Sequence, residues 1–207
     1  MEGNQMPWKS PCGQKGNGLK LTLPPNTADR SWIKHFIIVL EETNDYFTEL
    51  KRLYYLDEKV QRLINRCGHL DSDFQHLVGF PTVDPTRINN PAELNISLEI
   101  IDDYQKLATV FVFVEQIVWE KDIFRGINDL DILCNIYHKI KDALCELRTK
   151  SQETLIDKVT PTRNVMNSEY RIVSRIGRLQ RNYIIFKDAS RYLRAISNKY
   201  IRLYFQS

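Results

Sequence analysis

The sequence predicts an all-α fold, a four-helix bundle with up-up-down-down topology and two long crossover connections. Apolar residues recur at alternating steps of three and four in four long stretches, which is the pattern of amphipathic helices that share a core. The connections between these stretches are long, short and long, over residues 69–90, 124–128 and 149–167. Short links join antiparallel neighbours, whereas a long link lets two successive helices run parallel, so this order favours up-up-down-down.

The length and composition fit one globular domain. The chain has 207 residues, 43% of them hydrophobic, which is enough to bury a single core. We expect an irregular leader over residues 1–30, where glycine and proline prevent a continuous helix, and one bundle domain over residues 31–207. The longest apolar run, residues 108–114, is far short of the roughly 20 residues that span a membrane, so we expect no membrane insertion.

The first two helices have clear boundary signals. The first is predicted over residues 31–65, with Gly68 as its stop. The second is predicted from Asn90, which can cap, with Pro91 at the first helical position and Glu93 three residues after the cap. It should continue to about residue 121. The predicted core positions are Phe36, Leu40, Thr43, Phe47, Leu50 and Tyr54 in the first helix, and Leu94, Leu98, Ile101, Tyr104, Leu107, Phe111, Val114 and Val118 in the second.

The third helix is predicted over residues 129–148, and the last runs from Ser168 toward the C-terminus. Residues 110–114 of the second helix, taken alone, also fit a strand, although the pattern on both sides favours helix. The predicted core positions are Leu130, Leu133, Tyr137, Ile140, Leu144 and Leu147 in the third helix, and Ile172, Ile176, Leu179, Tyr183, Phe186, Leu193 and Tyr200 in the last.

The four cysteines test this topology. Cys134 and Cys145 lie roughly 16 Å apart along the third helix at 1.5 Å per residue, too far to pair with each other. Each therefore needs a distant partner. In the predicted arrangement Cys67, at the end of the first helix, meets Cys134 near the start of the third. Cys12 in the leader then meets Cys145, and loss of that bond is expected to free the leader without unfolding the bundle.

Four short stretches are similar to parts of a known family. Leu53-Tyr-Tyr-Leu-Asp-Glu58, Cys67-Gly68 and Asp73-Phe74 resemble the end of the first helix and the start of the crossover in the leukaemia inhibitory factor branch of the interleukin-six family. Leu144-Cys-Glu-Leu-Arg148 resembles the end of its third helix, where a cysteine joins the leader. Insect unpaired ligands belong to the same broad group. The resemblance implies a secreted, extracellular and monomeric cytokine that brings together type-I cytokine receptor ectodomains and starts JAK/STAT-type signalling.

The last helix departs from this family at its start. Family members carry a Phe and, three residues on, a Lys that grip a signalling receptor, whereas here Tyr170 is followed by Val173. That contact is in doubt, although Tyr170 beside Arg171 and Arg175 offers the aromatic anchor and the cations that interfaces favour. We predict two receptor-binding faces. One comprises Glu42, Asp45, Glu49, Asn135, Lys139 and Asp142, and the other comprises Tyr170, Arg171, Arg175 and Arg178.

Basic residues crowd the last helix, with only Glu169 and Asp188 to balance them. One interpretation is a recognition surface for an acidic receptor patch, which would raise the association rate. The other is a solvated face that pairs in part with the acidic first helix. The nine basic residues are Arg171, Arg175, Arg178, Arg181, Lys187, Arg191, Arg194, Lys199 and Arg202.

No residue pattern indicates catalysis, a cofactor or a metal site, so we expect a protein that is not an enzyme. The histidines lack metal-ligand spacing, and the one weak cluster, around His69 and His76, fits a solvated loop better. Asn95-Ile-Ser97 fits the acceptor pattern for N-glycosylation, although it falls in the predicted first turns of the second helix.

Two other functions compete with the cytokine hypothesis. The N-terminal residues lack the apolar core of a secretion signal, so either a signal has been removed or the protein is a cytosolic or pathogen adaptor with reduced cysteines. Nucleic-acid binding through the basic last helix is weaker, because the net charge is only +3 and no known binding module accompanies it. We therefore expect no nucleic-acid partner.

Overall fold

The computed structural model describes residues 6–13, 31–58, 61, 62, 65, 76–82, 95–120 and 127–205. Within these ranges the chain is helical and contains no strand, which confirms the all-α prediction. The helices are α1 Ser31–Leu56, α2 Ile96–Trp119, α3 Ile127–Thr149, α4 Glu153–Val159, α5 Ser168–Arg171 and α6 Arg175–Phe205, with a 3-10 turn at Arg163–Val165.

Helix α1 forms along the predicted apolar stripe and packs against α6. All six predicted core positions, from Phe36 to Tyr54, are buried. The ring of Phe36 meets Tyr200 near the end of α6 at 4.8 Å, and the ring of Tyr54 meets Phe186 nearer its start at 5.0 Å. The start of α1 thus faces the end of α6, and the two helices are antiparallel.

Two further pairs of long helices, α1 with α3 and α2 with α6, are also antiparallel. His35 of α1 pairs with Glu146 of α3 at 3.0 Å, and further along α1 Glu42 pairs with Lys139. Early residues of α1 therefore meet late residues of α3. Helix α2 packs against both α3 and α6, and its end meets the start of α6 through Glu120 and Arg181.

Helix α2 begins later than the sequence predicts. Asn95 has an extended backbone, and its side chain accepts hydrogen bonds from the amides of Ser97 at 3.0 Å and Leu98 at 3.4 Å. This is a complete N-cap, so α2 begins at Ile96, and the predicted start signals at Asn90, Pro91 and Glu93 lie outside the described ranges. Leu98, predicted to face the core, is 63% exposed.

The apolar run of α2 is helical, so the strand alternative for residues 110–114 is wrong. All five of these residues are buried, because α2 is covered on several sides at once by α3, α4 and α6. A helix enclosed in this way is apolar around most of its circumference, and its periodicity is correspondingly weak.

The last helix is interrupted, which corrects the continuous helix predicted from Ser168. Asn167 caps α5 by accepting from the amide of Glu169 at 3.2 Å, and Ser174 caps α6 by accepting from the amide of Gly177 at 3.2 Å. Two caps seven residues apart start two separate helices. Ile172 and Ile176, predicted to lie in the core, are 88% and 58% exposed at this break.

The leader is held by more than its cysteine. Trp8 is fully buried, its Nε1 donates to the Pro161 carbonyl at 2.8 Å, and its own carbonyl accepts from the Tyr104 hydroxyl at 2.5 Å. The connection after α3, predicted as a long link over residues 149–167, contains α4, whose Ile156 is also fully buried. In the described ranges, no helix combines the length and apolar character needed to cross a bilayer.

Candidate functional site

Apolar and basic side chains that are exposed or half-buried lie on the crossover segment 76–82 and on residues 170–176, around the break between α5 and α6, and the two segments meet through Val78 and Tyr170. The residues that we call the junction surface are Val78, Tyr170, Arg171, Ile172, Arg175 and Ile176. Val78 is 71% exposed, and Ile172 and Ile176 follow Tyr170 closely in the chain. Single exposed apolar side chains are common, but several beside cations on a rigid support are typical of a protein-binding site.

The crossover segment is fixed to the bundle by buried side chains and by hydrogen bonds. Phe80 is 7% exposed and packs edge-on against Phe113 of α2 with ring centroids 5.1 Å apart. The amide of Val78 donates to the Tyr170 hydroxyl at 3.0 Å. His76 Nδ1 lies 2.9 Å from Asp188 Oδ2 on α6. Val78 is therefore presented to solvent by a segment that is anchored on both sides.

Gly79 allows the crossover to approach the 3-10 turn. Its φ is +86°, a conformation that side-chain-bearing residues rarely adopt, and a Cβ there would lie 2.5 Å from the Val165 carbonyl oxygen. Only glycine satisfies both conditions without displacing one backbone segment. Beside this contact is a groove of about 410 Å³ lined by Val78, Asn164, Val165, Met166, Asn167, Ser168 and Arg171.

A buried ion pair lies beneath the junction surface. Arg181 of α6 is 3% exposed and forms a two-pronged pair with Glu120 at the end of α2. Its Nη1 also donates to the carbonyl oxygen of Tyr170 at 2.6 Å. Neither residue carries a sequence signal that distinguishes it from the exposed charges around it, so the sequence pattern does not predict this contact.

The first predicted receptor face lies on α1 and α3, and all six of its residues are exposed or half-buried. Glu42 and Lys139 are joined across the two helices, and this hydrogen bond raises the pKa of Lys139. Glu49 pairs with Arg52 at 2.7 Å, which lowers the pKa of Glu49. The result is a mixed-charge face, in contrast to the apolar and basic junction surface.

Three of the nine basic residues lie neither on a solvated face nor on a recognition surface. Arg181, Lys187 and Lys199 are buried. Lys199 bonds to Glu99 at 2.7 Å and to Asp103 at 2.8 Å, and Arg181 pairs with Glu120, so these two cations pair with α2 rather than with the acidic first helix. Lys187 Nζ lies 3.7 Å from Asp188 Oδ1 of its own helix. The other six basic residues of the helix are exposed or half-buried.

The acidic residues around Lys199 form the one carboxylate cluster close enough to hold a cation among the described residues. Oxygens of Glu99, Asp102 and Asp103 lie within 4.8 Å of one another. The ammonium of Lys199 contacts two of these groups and takes the place that a metal ion would need. Burial raises the pKa of the Asp103 carboxyl, and Lys199 opposes that shift. We interpret the cluster as an internal ion-pair network.

The cysteines divide into one bonded pair and one thiol. The sulfur atoms of Cys12 and Cys145 are 2.09 Å apart, at disulfide distance, and this is the pairing that the topology predicts. Cys134 is exposed and has no disulfide partner among the described residues. Its predicted partner Cys67 lies outside the described residues, as do His69 and the other members of the weak metal-like cluster apart from His76. The Cys67–Cys134 bond stays a prediction.

Comparisons of the chain with models of protein families, with curated proteins and with solved structures found no match. Function is therefore inferred from the geometry of the chain itself. The strongest geometric feature is the junction surface. The contacts of Arg181, Gly79 and Tyr170 fix the backbone next to its exposed apolar side chains.

Proposed function

We propose that this protein is a secreted helical cytokine that brings type-I cytokine receptor chains together. The observation that carries the proposal is the junction surface, where Ile172 is 88% exposed on a rigid, hydrogen-bonded support. Leaving such side chains in water forgoes their burial, worth about 1.5–3 kcal/mol each, and a partner that covers them recovers it.

The order of helix contacts supports an up-up-down-down bundle. Residues of α1 meet both α6 and α3 in reverse order, since Phe36 contacts Tyr200 while Glu42 contacts Lys139. Residues of α2 meet α6 in reverse order too, because Glu99 pairs with Lys199 and Glu120 with Arg181. If α1 and α2 both oppose α6, they run parallel, which requires a long crossover between them.

The cysteines support an extracellular location. Disulfides persist in oxidising compartments and are rare in the cytosol, and Cys12 and Cys145 are at disulfide distance. The competing function, a cytosolic or pathogen adaptor, is favoured by the exposed Cys134, which has no disulfide partner in the part of the chain that the structure describes. Counting the alkylatable thiols of the unreduced chain separates the two, because an adaptor from a reducing compartment has four and the proposed ligand has at most two.

The chemistry of the junction surface defines its partner. Tyr and Arg are enriched at the centres of protein interfaces. The exposed side chains of Ile172 and Ile176 require an apolar surface on the partner to cover them. The partner is a receptor ectodomain with an apolar centre and an acidic rim that matches Arg171 and Arg175. The mixed-charge face of α1 and α3 lies on other helices and would bind a second receptor chain.

Binding to isolated receptor ectodomains tests the proposal. Ile172→Asp places a charge at the most exposed apolar position and is expected to weaken binding by at least about 30-fold, the effect of losing 2 kcal/mol at an interface centre. Leu98→Asp is the matched control, because Leu98 is a similarly exposed apolar residue near the start of α2. Equal effects of the two variants, or no binding of the native chain to any type-I receptor, would overturn the proposal.

A further inference from the structure

Arg181 is buried in spite of its charge, and it contacts three parts of the chain. Nη1 donates to Glu120 Oε1 at 3.1 Å and to the Tyr170 carbonyl at 2.6 Å. Nε and Nη2 donate to Asn182 Oδ1 at 3.0 and 2.7 Å. One guanidinium thus joins the end of α2, the end of α5 and the first turns of α6.

Stability alone does not explain this arrangement. A buried ion pair loses about as much from desolvation as it gains from attraction, and apolar residues of similar volume often replace it without cost. The contact that an apolar side chain cannot reproduce is the donation to Tyr170. That carbonyl lies in the last turn of α5, where helical carbonyls lack a donor from their own helix, two residues before the exposed Ile172.

We propose that Arg181 is a positioning residue, which fixes Tyr170 and the break between α5 and α6 and so sets how the junction surface faces its partner. The proposal rests on the binding role of that surface. Tyr170 passes the constraint on, because its hydroxyl accepts the Val78 amide of the crossover. Lysine cannot replace arginine here, since it is a point charge and lacks the planar fork that contacts Glu120, Tyr170 and Asn182 together.

The chain offers a matched control for this role. Lys199 and Glu99 form a second buried ion pair between the same two helices, near the start of α2 and the end of α6. Its loss removes the cation from two buried carboxylates, Glu99 and Asp103, at the end of these helices away from Arg181. Arg181→Gln and Lys199→Gln therefore differ mainly in whether the junction surface loses a contact.

Amide hydrogen exchange of the full chain tests the positioning role without any receptor. The reporters are the amides of Val78, which bonds to the Tyr170 hydroxyl, and Ile172, which bonds to the Ser168 carbonyl at 3.2 Å. We expect at least tenfold faster exchange at both in Arg181→Lys and Arg181→Gln, with α1 and α3 unchanged. Lys199→Gln should leave both reporters unchanged. If Arg181→Gln fails to fold, Arg181→Lys carries the comparison, because it keeps a cation beside Glu120.

Failure of this inference is distinguishable from failure of the proposed function. Unchanged exchange at Val78 and Ile172 in Arg181→Lys would overturn the positioning role, as would equal and uniform acceleration in the Lys199→Gln control. If the exchange pattern is as expected but the native chain binds no receptor ectodomain, the positioning role stands and the cytokine proposal fails. If both hold, Arg181→Lys weakens receptor binding at least fivefold, chiefly through faster dissociation.

Discussion

Replacing Trp8 with alanine should destabilise the whole protein, although Trp8 lies in a leader that the sequence predicts to be irregular. The side chain is fully buried, packs edge-on against Phe111 at 5.9 Å and donates to the Pro161 carbonyl. Truncating a buried aromatic residue to alanine costs about 3–5 kcal/mol of the free energy of unfolding. For a chain of this size the melting temperature should fall by roughly 6–20 °C, at about 2–4 °C per kcal/mol.

Thermal and denaturant unfolding of the oxidised chain would measure this effect. Lys9→Ala is the control, because Lys9 is the exposed neighbour of Trp8 and its loss should change the free energy of unfolding by less than about 0.5 kcal/mol. A loss below about 1 kcal/mol for Trp8→Ala would refute the reasoning, since a fully buried tryptophan cannot be removed so easily.

The same contacts change the expectation for the disulfide. Removing the Cys12–Cys145 crosslink, which spans a sequence separation of 133, costs at most about 5 kcal/mol in the chain-entropy model. Trp8 should nevertheless keep the leader docked, through Pro161, Tyr104 and the guanidinium of Arg163, 5.5 Å from its ring. Hydrogen exchange of residues 6–13 should stay slow in Cys12→Ser and become fast only when Trp8→Ala is added.

Two further predictions concern the glycine of the crossover and a buried carboxyl. Gly79→Ala should cost about 1–3 kcal/mol in denaturant unfolding because of its positive φ and the Val165 contact, whereas alanine at Gly13, with positive φ but open space, should cost less. Burial raises the pKa of Asp103, so the folded state holds more protons than the unfolded state between the usual and the raised pKa. The free energy of unfolding that this group contributes is therefore lost as pH rises through that window. Asp103→Asn should remove the corresponding slope from a plot of the free energy of unfolding against pH. An unchanged slope would contradict this prediction.

The stripes of α1 and α3 could be predicted because each of these helices turns one face to the core. In α1 the six predicted positions are all buried, since a period of three and four is what one-sided burial imposes. Residues 110–114 were ambiguous for the opposite reason. A helix covered on several sides needs no polar face, so its sequence loses the period that identifies it.

Helix starts were less predictable, because several residues near a boundary can each act as a cap. Asn90 and Asn95 both suit the role, and only the structure selects Asn95. Ser174 gives the same lesson, since a serine inside an apolar repeat does not reveal that it ends one helix and begins another. The exposure of Ile172 and Ile176 follows from that break.

The sequence by itself determined the all-α class and the four long helical stretches, because these depend on local periodicity. It also determined the pairing of Cys12 with Cys145, through the order of long and short connections. Only the tertiary structure decided which charges are buried. Arg181 and Lys199 carry the same local signal as the exposed cations beside them, and their burial depends on Glu120, Glu99 and Asp103, which are distant in the chain. The junction surface is decided in the same way, since it forms where residues 76–82 meet the break before α6, and no local pattern records that meeting.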